Sequence, residues 1–321
     1  MIDSYKSSFP KTNYKNQILE TIIKNNIISN AYIFYGPEGI GRKEAAINFI
    51  AEIINKSNSN IKPLEKIKAN NFPDFILIEP TYLIKGKIIK QSKLEENLTQ
   101  KNKPIIRIDQ IREIRKFLGK RSIQADKKFI LIEDAHLLNE AASNCLLKTL
   151  EEPENGLFIL ITSNINNLLD TIKSRCQQIR FNHLSNNELY LQLKSNKKFT
   201  EGIESDITHL KDLINLANGS PKKLWENISI WLAIPEEIKQ KILTPFHENV
   251  EILILVKIIT DELNLIEQNF LIEFMQYRWW KKTQNIEITK IVENLKVNLK
   301  NNVQPRLAWE VCLLKIALND F

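Results

Sequence analysis

Residues 36–43 read GPEGIGRK and directly follow an apolar run, Ala31-Tyr32-Ile33-Phe34-Tyr35. A phosphate-binding loop of the form G-x-x-x-x-G-K-[ST] cradles phosphate with backbone N–H groups, extends its Lys to the terminal phosphates and sets a Ser/Thr hydroxyl on Mg²⁺. Gly36, Gly39 and Gly41 keep the glycine skeleton of such a loop, but Arg42 stands at the Lys position and Lys43 at the Ser/Thr position. An ammonium has donors and no lone pair to offer a cation. The loop is therefore built like that of a nucleoside triphosphatase and disarmed as one. Whether it still takes a nucleotide is left open by the sequence.

Two further clusters carry chemistry. Glu133-Asp134 closes the apolar run Phe129–Ile132, and an acidic pair at such a strand end serves Mg²⁺ binding and water activation in P-loop enzymes. The usual order is Asp then Glu. Its reversal displaces each carboxylate by about one methylene, where catalysis tolerates about an ångström. The other cluster is Ser174-Arg175-Cys176, just before the last apolar strand. An Arg at a strand edge is ordinarily a surface charge. Cys176 as a nucleophile would need a partner His that the sequence does not place.

The elements that must hold these groups alternate in kind. Five strand candidates, Ala31–Tyr35, Asp74–Ile78, Phe129–Glu133, Phe158–Thr162 and Gln178–Phe181, are separated by helical patterns. Residues 42–55, 109–118 and 139–151 carry apolar side chains at i, i+3, i+4 spacing, as Ala45, Ala46, Phe49, Ile50 and Ile53 show. Continuous apolar strands alternating with helices predict a parallel five-stranded sheet covered on both faces, with its ligand crevice at the carboxyl ends of the strands. Residues 81–103 interrupt the alternation with six Lys against two Glu. They read as a surface insertion with a hairpin over 82–90, or as a basic arm that touches DNA.

Beyond His183 the strands stop. Residues 185–232 read as about three helices, with Asn218-Gly219 ending one and Ser220-Pro221 opening the next. Residues 236–321 are helical again and richer in Trp and Leu. The expected division is a P-loop domain over 1–183, a helical lid over 184–235 and a helical oligomerisation domain over 236–321.

Composition narrows the class. With 43% apolar and 26% charged residues the chain is an ordinary globular one. Its three Cys form no C-x-x-C pair and its four His are scattered, so neither a zinc ribbon nor a disulfide framework is expected. The polar N-terminus lacks the apolar core of a secretory signal, and no apolar run approaches the roughly 20 residues that span a bilayer. A cytoplasmic protein without membrane contact is expected. A net charge of +7 permits nucleic-acid contact without requiring it.

The segments IEDAHLLNEAASNCLLKTLEEPENGLFILITSNINNLLDTIKSRCQQIRF, NAYIFYGPEGIGRKEAA and NFPDFILIEP together resemble the core of bacterial clamp-loader AAA+ subunits. Among these the chain is most similar to the delta-prime family of DNA polymerase III, closely over residues 14–183 and loosely beyond. The resemblance implies a non-hydrolysing subunit of the polymerase III holoenzyme that supports ATP-driven loading of the sliding clamp onto primed DNA. It implies a hetero-pentameric ring with gamma/tau-type ATPase subunits and delta, and contact with the clamp and primer-template DNA through that complex. Arg175 would be an arginine finger acting in trans on a neighbour's ATP, with Ser174 and Cys176 shaping its turn. Glu133 and Asp134 fall at the Walker B position, Ser163-Asn164 at sensor 1, and Lys222-Lys223 near sensor 2, where active relatives carry Arg. Many members bear a four-Cys zinc module after the P-loop helix; residues 54–72 contain no Cys, so no zinc is expected and no cofactor is required.

Other readings stay open at this level. An active ATP-hydrolysing subunit would need Arg42 and the acid pair to work without a Ser/Thr to hold Mg²⁺. A basic DNA-binding scaffold on the same fold would show salt-dependent DNA affinity on its own. Trp279-Trp280-Lys281-Lys282 reads as helix packing, or as a stacking platform for bases. Leu307, Val311, Leu314 and Leu318 lie on one helical face that suits either a partner or an intrachain core.

Overall fold

The computed structural model describes residues 17–58, 62–84, 86–93, 103–153, 155–194, 207–243, 249–301 and 303–318. They fall into two compact units, one within residues 11–183 and one within 184–321.

The first unit is built on a five-stranded sheet. Its strands are β1 (Ala31–Tyr35), β2 (Phe75–Ile78), β5 (Lys128–Ile132), β6 (Gly156–Thr162) and β7 (Gln177–Arg180). The order is β2-β5-β6-β1-β7 and every pairing is parallel. The five strands lie where the apolar runs predict them, shifted by a residue or two at their ends. The runs are continuous because β5 and β6 are buried on both faces along their whole length, as parallel strands between helical layers must be.

Two apolar layers flank the sheet. On one face Tyr32, Phe34, Phe129 and Ile159 pack with Phe49, Ile50 and Ile53 of α2 (Arg42–Ser57). On the other, Ile33, Ile130, Ile132 and Leu160 pack with Ile111 and Ile114 of α4 (Ile108–Leu118) and with Ala142, Leu146 and Leu150 of α5 (Glu140–Glu151). A short helix, α1 (Gln17–Lys24), adds Leu19 and Ile22 to the first layer and α3 (Pro63–Lys68) adds Ile67, while the single turn α6 (Asp170–Lys173) adds Ile172 to the second. The loop before β5 is fastened by Asp74, whose buried carboxylate accepts N–H bonds from Ile123, Gln124 and Ala125.

The insertion after β2 forms an antiparallel hairpin, β3 (Thr81–Ile84) with β4 (Lys87–Lys90), turning through Gly86 at a φ of +77°. Of the segment 81–103 read as a possible basic arm, residue 85 and residues 94–102 lie outside the described residues, while Lys87, Lys90, Lys93 and Lys103 lie within them.

The second unit is helical throughout its described residues. Seven of its helices are α7 (Asn186–Lys194), α8 (Ile207–Leu216), α9 (Pro221–Ala233), α10 (Glu236–Leu243), α11 (Asn249–Glu262), α12 (Leu265–Thr283) and α13 (Ile286–Lys300); α14 (Pro305–Ala317) follows. Local chemistry fixes their starts. Ser220 accepts from the Lys223 N–H with Pro221 at the first helical position, and Asn264 and Glu267 exchange bonds in a capping box that opens α12. One apolar core runs from Leu189 to Ile316, through Trp231, Phe274 and Trp309. The lid and oligomerisation parts expected on either side of residue 235 therefore share a core. Trp309 is fully buried, and its indole N–H donates to Gln268 Oε1 at 3.0 Å. That bond satisfies the one polar atom of a large core side chain.

Candidate functional site

Parallel strands put all their carboxyl ends on one edge of the sheet. Register carries Tyr35 opposite Thr162 and Ile132 opposite Leu160, so the loop after β1, the acid pair after β5 and the polar end of β6 share that edge. The crevice there is assembled by strand pairing.

Within the loop, Gly36, Gly39 and Gly41 take φ values of +151°, +73° and +87°. Gly36 is required for space as well as conformation: a Cβ there would lie 2.2 Å from the carbonyl oxygen of Phe181. Gly41 is the N-cap of α2 and no side chain caps that helix. Its first N–H groups carry the partial positive charge of a helix start, the usual seat of an anion.

Arg42 is the first residue of α2 and is 7% exposed. Its Nη1 is buried with no hydrogen-bond partner. Burial pulls the guanidinium below its ordinary pKa, and the carboxylates of Asp134, Glu38 and Glu133 oppose that shift. Leaving a charged donor buried and unsatisfied costs about 1–3 kcal/mol or more, so this position is held against a local penalty.

Lys43 Nζ donates to Glu133 Oε2 at 2.7 Å, and both side chains are partly shielded from solvent. The ammonium thus stands against the carboxylate that would hold a metal ion. Mg²⁺ requires near-ideal octahedral oxygen ligands. This donor set offers a lysine where a hydroxyl is needed and a carboxylate already paired, so Mg²⁺ does not fit. Asp134 follows in a left-handed conformation, φ +47°, at the N-cap position of a 3-10 turn, Ala135–Leu137, to which its side chain gives no capping bond. Asp tolerates that region far better than Glu, which gives a conformational reason for the reversed order of the acids.

The buried polar group at the end of β6 is Thr162. Its hydroxyl lies 3.2 Å from His136 Nδ1 and accepts the N–H of Asn164 at 3.1 Å. It links the turn after the acid pair to the neighbouring strand end. Asn164 is exposed and accepts from the N–H of Asn166, capping a short turn. The sequence reading placed the sensor role on Asn164 and missed Thr162 and His136. The available signal was the single polar residue closing the run GLFILIT, and a His three residues after Glu133.

Arg175 lies elsewhere. β7 begins at Gln177, which pairs with Tyr32 near the start of β1. Arg175 therefore sits at the amino edge of the sheet, about 15 Å from the level of the loop at about 3.3 Å per residue. It is exposed, with Nη2 donating to Glu151 Oε1 at 2.8 Å and Nη1 to the Thr171 carbonyl at 3.0 Å. Glu151 ends α5, the helix that runs back from the acid pair to this edge. Ser174 donates to the same Thr171 carbonyl. Burial pushes the Cys176 thiol up to about 12, which leaves it a neutral packing group. Lys222 and Lys223 pair with Glu226 and Glu273 inside the helical unit.

In the helical unit, Leu307, Val311 and Leu318 are exposed at 51%, 41% and 77%, while the opposite face of α14 buries Ala308, Trp309, Cys312, Leu313 and Ile316. Leu314 is only partly covered. The apolar face singled out in the sequence is mostly not an intrachain core face. Trp279 packs against the core and Trp280 is 46% exposed. No described helix is long and apolar enough to cross a membrane.

A family model described as DNA polymerase III, delta subunit, matches residues 11–185, and one described as Cyanobacterial DNA polymerase III delta prime, C-terminal domain, matches residues 195–316. DNA polymerase III subunit delta' of Pseudomonas aeruginosa is 31% identical over 157 residues, which cover 47% of this chain and 42% of that protein. The Bacillus subtilis subunit of the same name is 30% identical over 175 residues, covering 52% and 46%. The chain thus spans less than half the length of these two relatives. A crystal structure of a DNA polymerase III gamma subunit-related protein from Thermotoga maritima superposes with a TM-score of 0.50 at 19% identity, covering 94% of this chain and 98% of that one, and shares the fold. The matched model spans more than half of the chain, and with the delta-prime relatives it shows that this chain belongs to the DNA polymerase III delta-prime subunit family of clamp-loader AAA+ proteins.

Proposed function

We propose that the chain works as a non-hydrolysing wall of a clamp-loader ring, lending Arg175 to the ATP of a neighbouring gamma/tau-type subunit. The placement of Arg175 carries this reading. It lies at the sheet edge opposite its own loop, is exposed, and is held outward by Glu151 and the Thr171 carbonyl. A planar guanidinium stays charged and grips phosphate oxygens in pairs, the property a trans-acting finger needs. The chain's own loop lacks the means of metal-assisted hydrolysis, because Lys43 stands against Glu133.

Residues 184–235 serve in this reading as a lid and 236–321 as the part that joins the ring with delta and the ATPase subunits. The exposed face of Leu307, Val311 and Leu318 is the surface offered to a partner. Sliding clamp and primer-template DNA are met through the assembled complex in the cytoplasm.

The test is to mix the chain with the ATPase and delta subunits of its own system. A stable complex should form, and the isolated chain should show no ATP turnover. Leu307→Lys with Val311→Lys should abolish complex formation while leaving the helical content intact, since both positions face solvent. Turnover by the isolated chain, or assembly untouched by the double substitution, would contradict this assignment.

A further inference from the structure

We propose that the hairpin β3–β4 takes an extended acidic peptide as a third strand along the outer edge of β4, setting acids against its lysines and an apolar side chain against Ile88. This goes beyond the ring role above and rests on neither Arg175 nor the loop Gly36–Lys43.

The hairpin is fastened at its base and projects at its turn. The buried carboxylate of Glu79 accepts the Ser92 N–H at 3.2 Å and lies 3.7 Å from Lys90 Nζ. Thr81 exchanges backbone bonds with Ile105 at 2.9 and 3.1 Å. Arg107 Nη1 donates to the Thr81 hydroxyl at 2.6 Å, and Gln110 of α4 donates to the Glu79 carbonyl at 2.9 Å. At the other end, a Cβ added to Gly86 would meet nothing within 4 Å. The strands are thus held in one place while their far end stands in open space.

Pairing decides which backbone groups face outward. Ile84 lies opposite Lys87 across a two-residue turn, and such a closing pair exchanges its N–H and C=O groups. Bonding alternates from there, so Ile88 and Lys90 direct their backbone groups away from β3, as Thr81 directs its own toward Ile105. Among the described residues β4 pairs with β3 alone. Leu83 and Ile88 sit opposite each other on one face, exposed at 46% and 60%. A strand edge beside an exposed apolar pair is a template for a further strand.

Charge selects the occupant. Residues 81–93 hold four Lys and no acid. Lysines on an edge repel a second copy of that edge and favour acids directly across from them. Side chains alternate along a strand, so a peptide running antiparallel to Lys90, Ile89, Ile88 and Lys87 reads acid–x–apolar–acid. Main-chain bonds supply its affinity and the alternating side chains its specificity. A single-stranded nucleic acid fits less well, because it seeks exposed aromatic faces and the aromatic residue of the hairpin, Tyr82, is buried.

The experiment titrates the full chain against a fluorescent peptide with Glu-Val-Leu-Glu at its centre, read by anisotropy and by amide hydrogen exchange. Saturable binding at about 10–100 µM is expected, with the Ile88 and Lys90 amides slowed at saturation. A scrambled peptide of the same composition, or one with Lys in place of its acids, should bind at least about tenfold more weakly. Ile88→Pro removes an N–H that faces outward, so the hairpin should persist while binding weakens at least about tenfold. Lys87→Glu should weaken binding comparably through charge. Slow exchange at Tyr82 and Ile89 checks that each variant keeps the hairpin; should Ile88→Pro lose it, Lys87→Glu carries the test alone. No saturation, equal binding of the scrambled peptide, unchanged binding by Lys87→Glu, or binding that leaves the Ile88 and Lys90 amides unprotected would overturn the proposal. So would tighter binding of a single-stranded oligonucleotide that Lys87→Glu abolishes.

Discussion

Arg175 and Glu151 meet across 24 positions of sequence at the amino edge of the sheet. Both are substantially exposed, so their ion pair contributes no more than about 1 kcal/mol to folding. Its consequence is positional. A free Arg side chain has many rotamers, and fixing one before a neighbour docks removes part of that ordering cost, about 0.5–1.5 kcal/mol. Glu151→Gln should therefore leave the thermal midpoint nearly unchanged and lower the ATP turnover of the assembled complex by about 2- to 10-fold. A lowered midpoint with unchanged turnover would make the pair a surface contact only. Much of this residue-scale chemistry was legible in sequence: Arg42, Lys43, Glu133 and Asp134 could be read as altered by type and order alone. The partnerships were not. That Lys43 reaches Glu133, that Glu151 holds Arg175, and that Thr162 rather than Asn164 meets His136 all depend on strand pairing that no local pattern encodes.

At the scale of elements, the strands were the most readable part. Runs such as FILI and GLFILIT have no polar face to offer water, which commits them to a sheet covered on both sides. The order β2-β5-β6-β1-β7 was not legible, because β1, β2, β5 and β6 are alike in being continuous apolar runs; only β7, QQIR, reads as an edge strand by composition. It is this order that seats Gly36 against β7's end. Gly36→Ala would force a Cβ into the Phe181 carbonyl at a φ that L-residues rarely adopt. We expect a loss of about 2–4 kcal/mol, read as a lower urea midpoint. A neutral result would mean that the loop backbone yields more readily than its contacts suggest. In the helical unit, the helix start at Ser220-Pro221 was readable from its residue types, whereas the capping box at Asn264 and the single core shared by residues on both sides of 235 were not. Helical periodicity marks a buried face without saying which helix covers it.

For the whole molecule, one layout organises the chemistry. Loop, acid pair and Thr162 gather at the carboxyl edge of the sheet, and Arg175 projects from the amino edge. A subunit so arranged cannot bring its own arginine to its own loop without dismantling the strands between them. It can present a cation to whatever docks along that edge. The ATP turnover of the fully assembled complex is the direct measurement, comparing wild type with Arg175→Ala at equal assembly. Because the side chain is exposed, the variant should fold and join the ring normally. Turnover at the ATP site bordering this subunit should fall by about 10³-fold, the scale of a lost arginine finger, while the complex stays intact. Unchanged turnover in an intact complex would contradict the role assigned to Arg175.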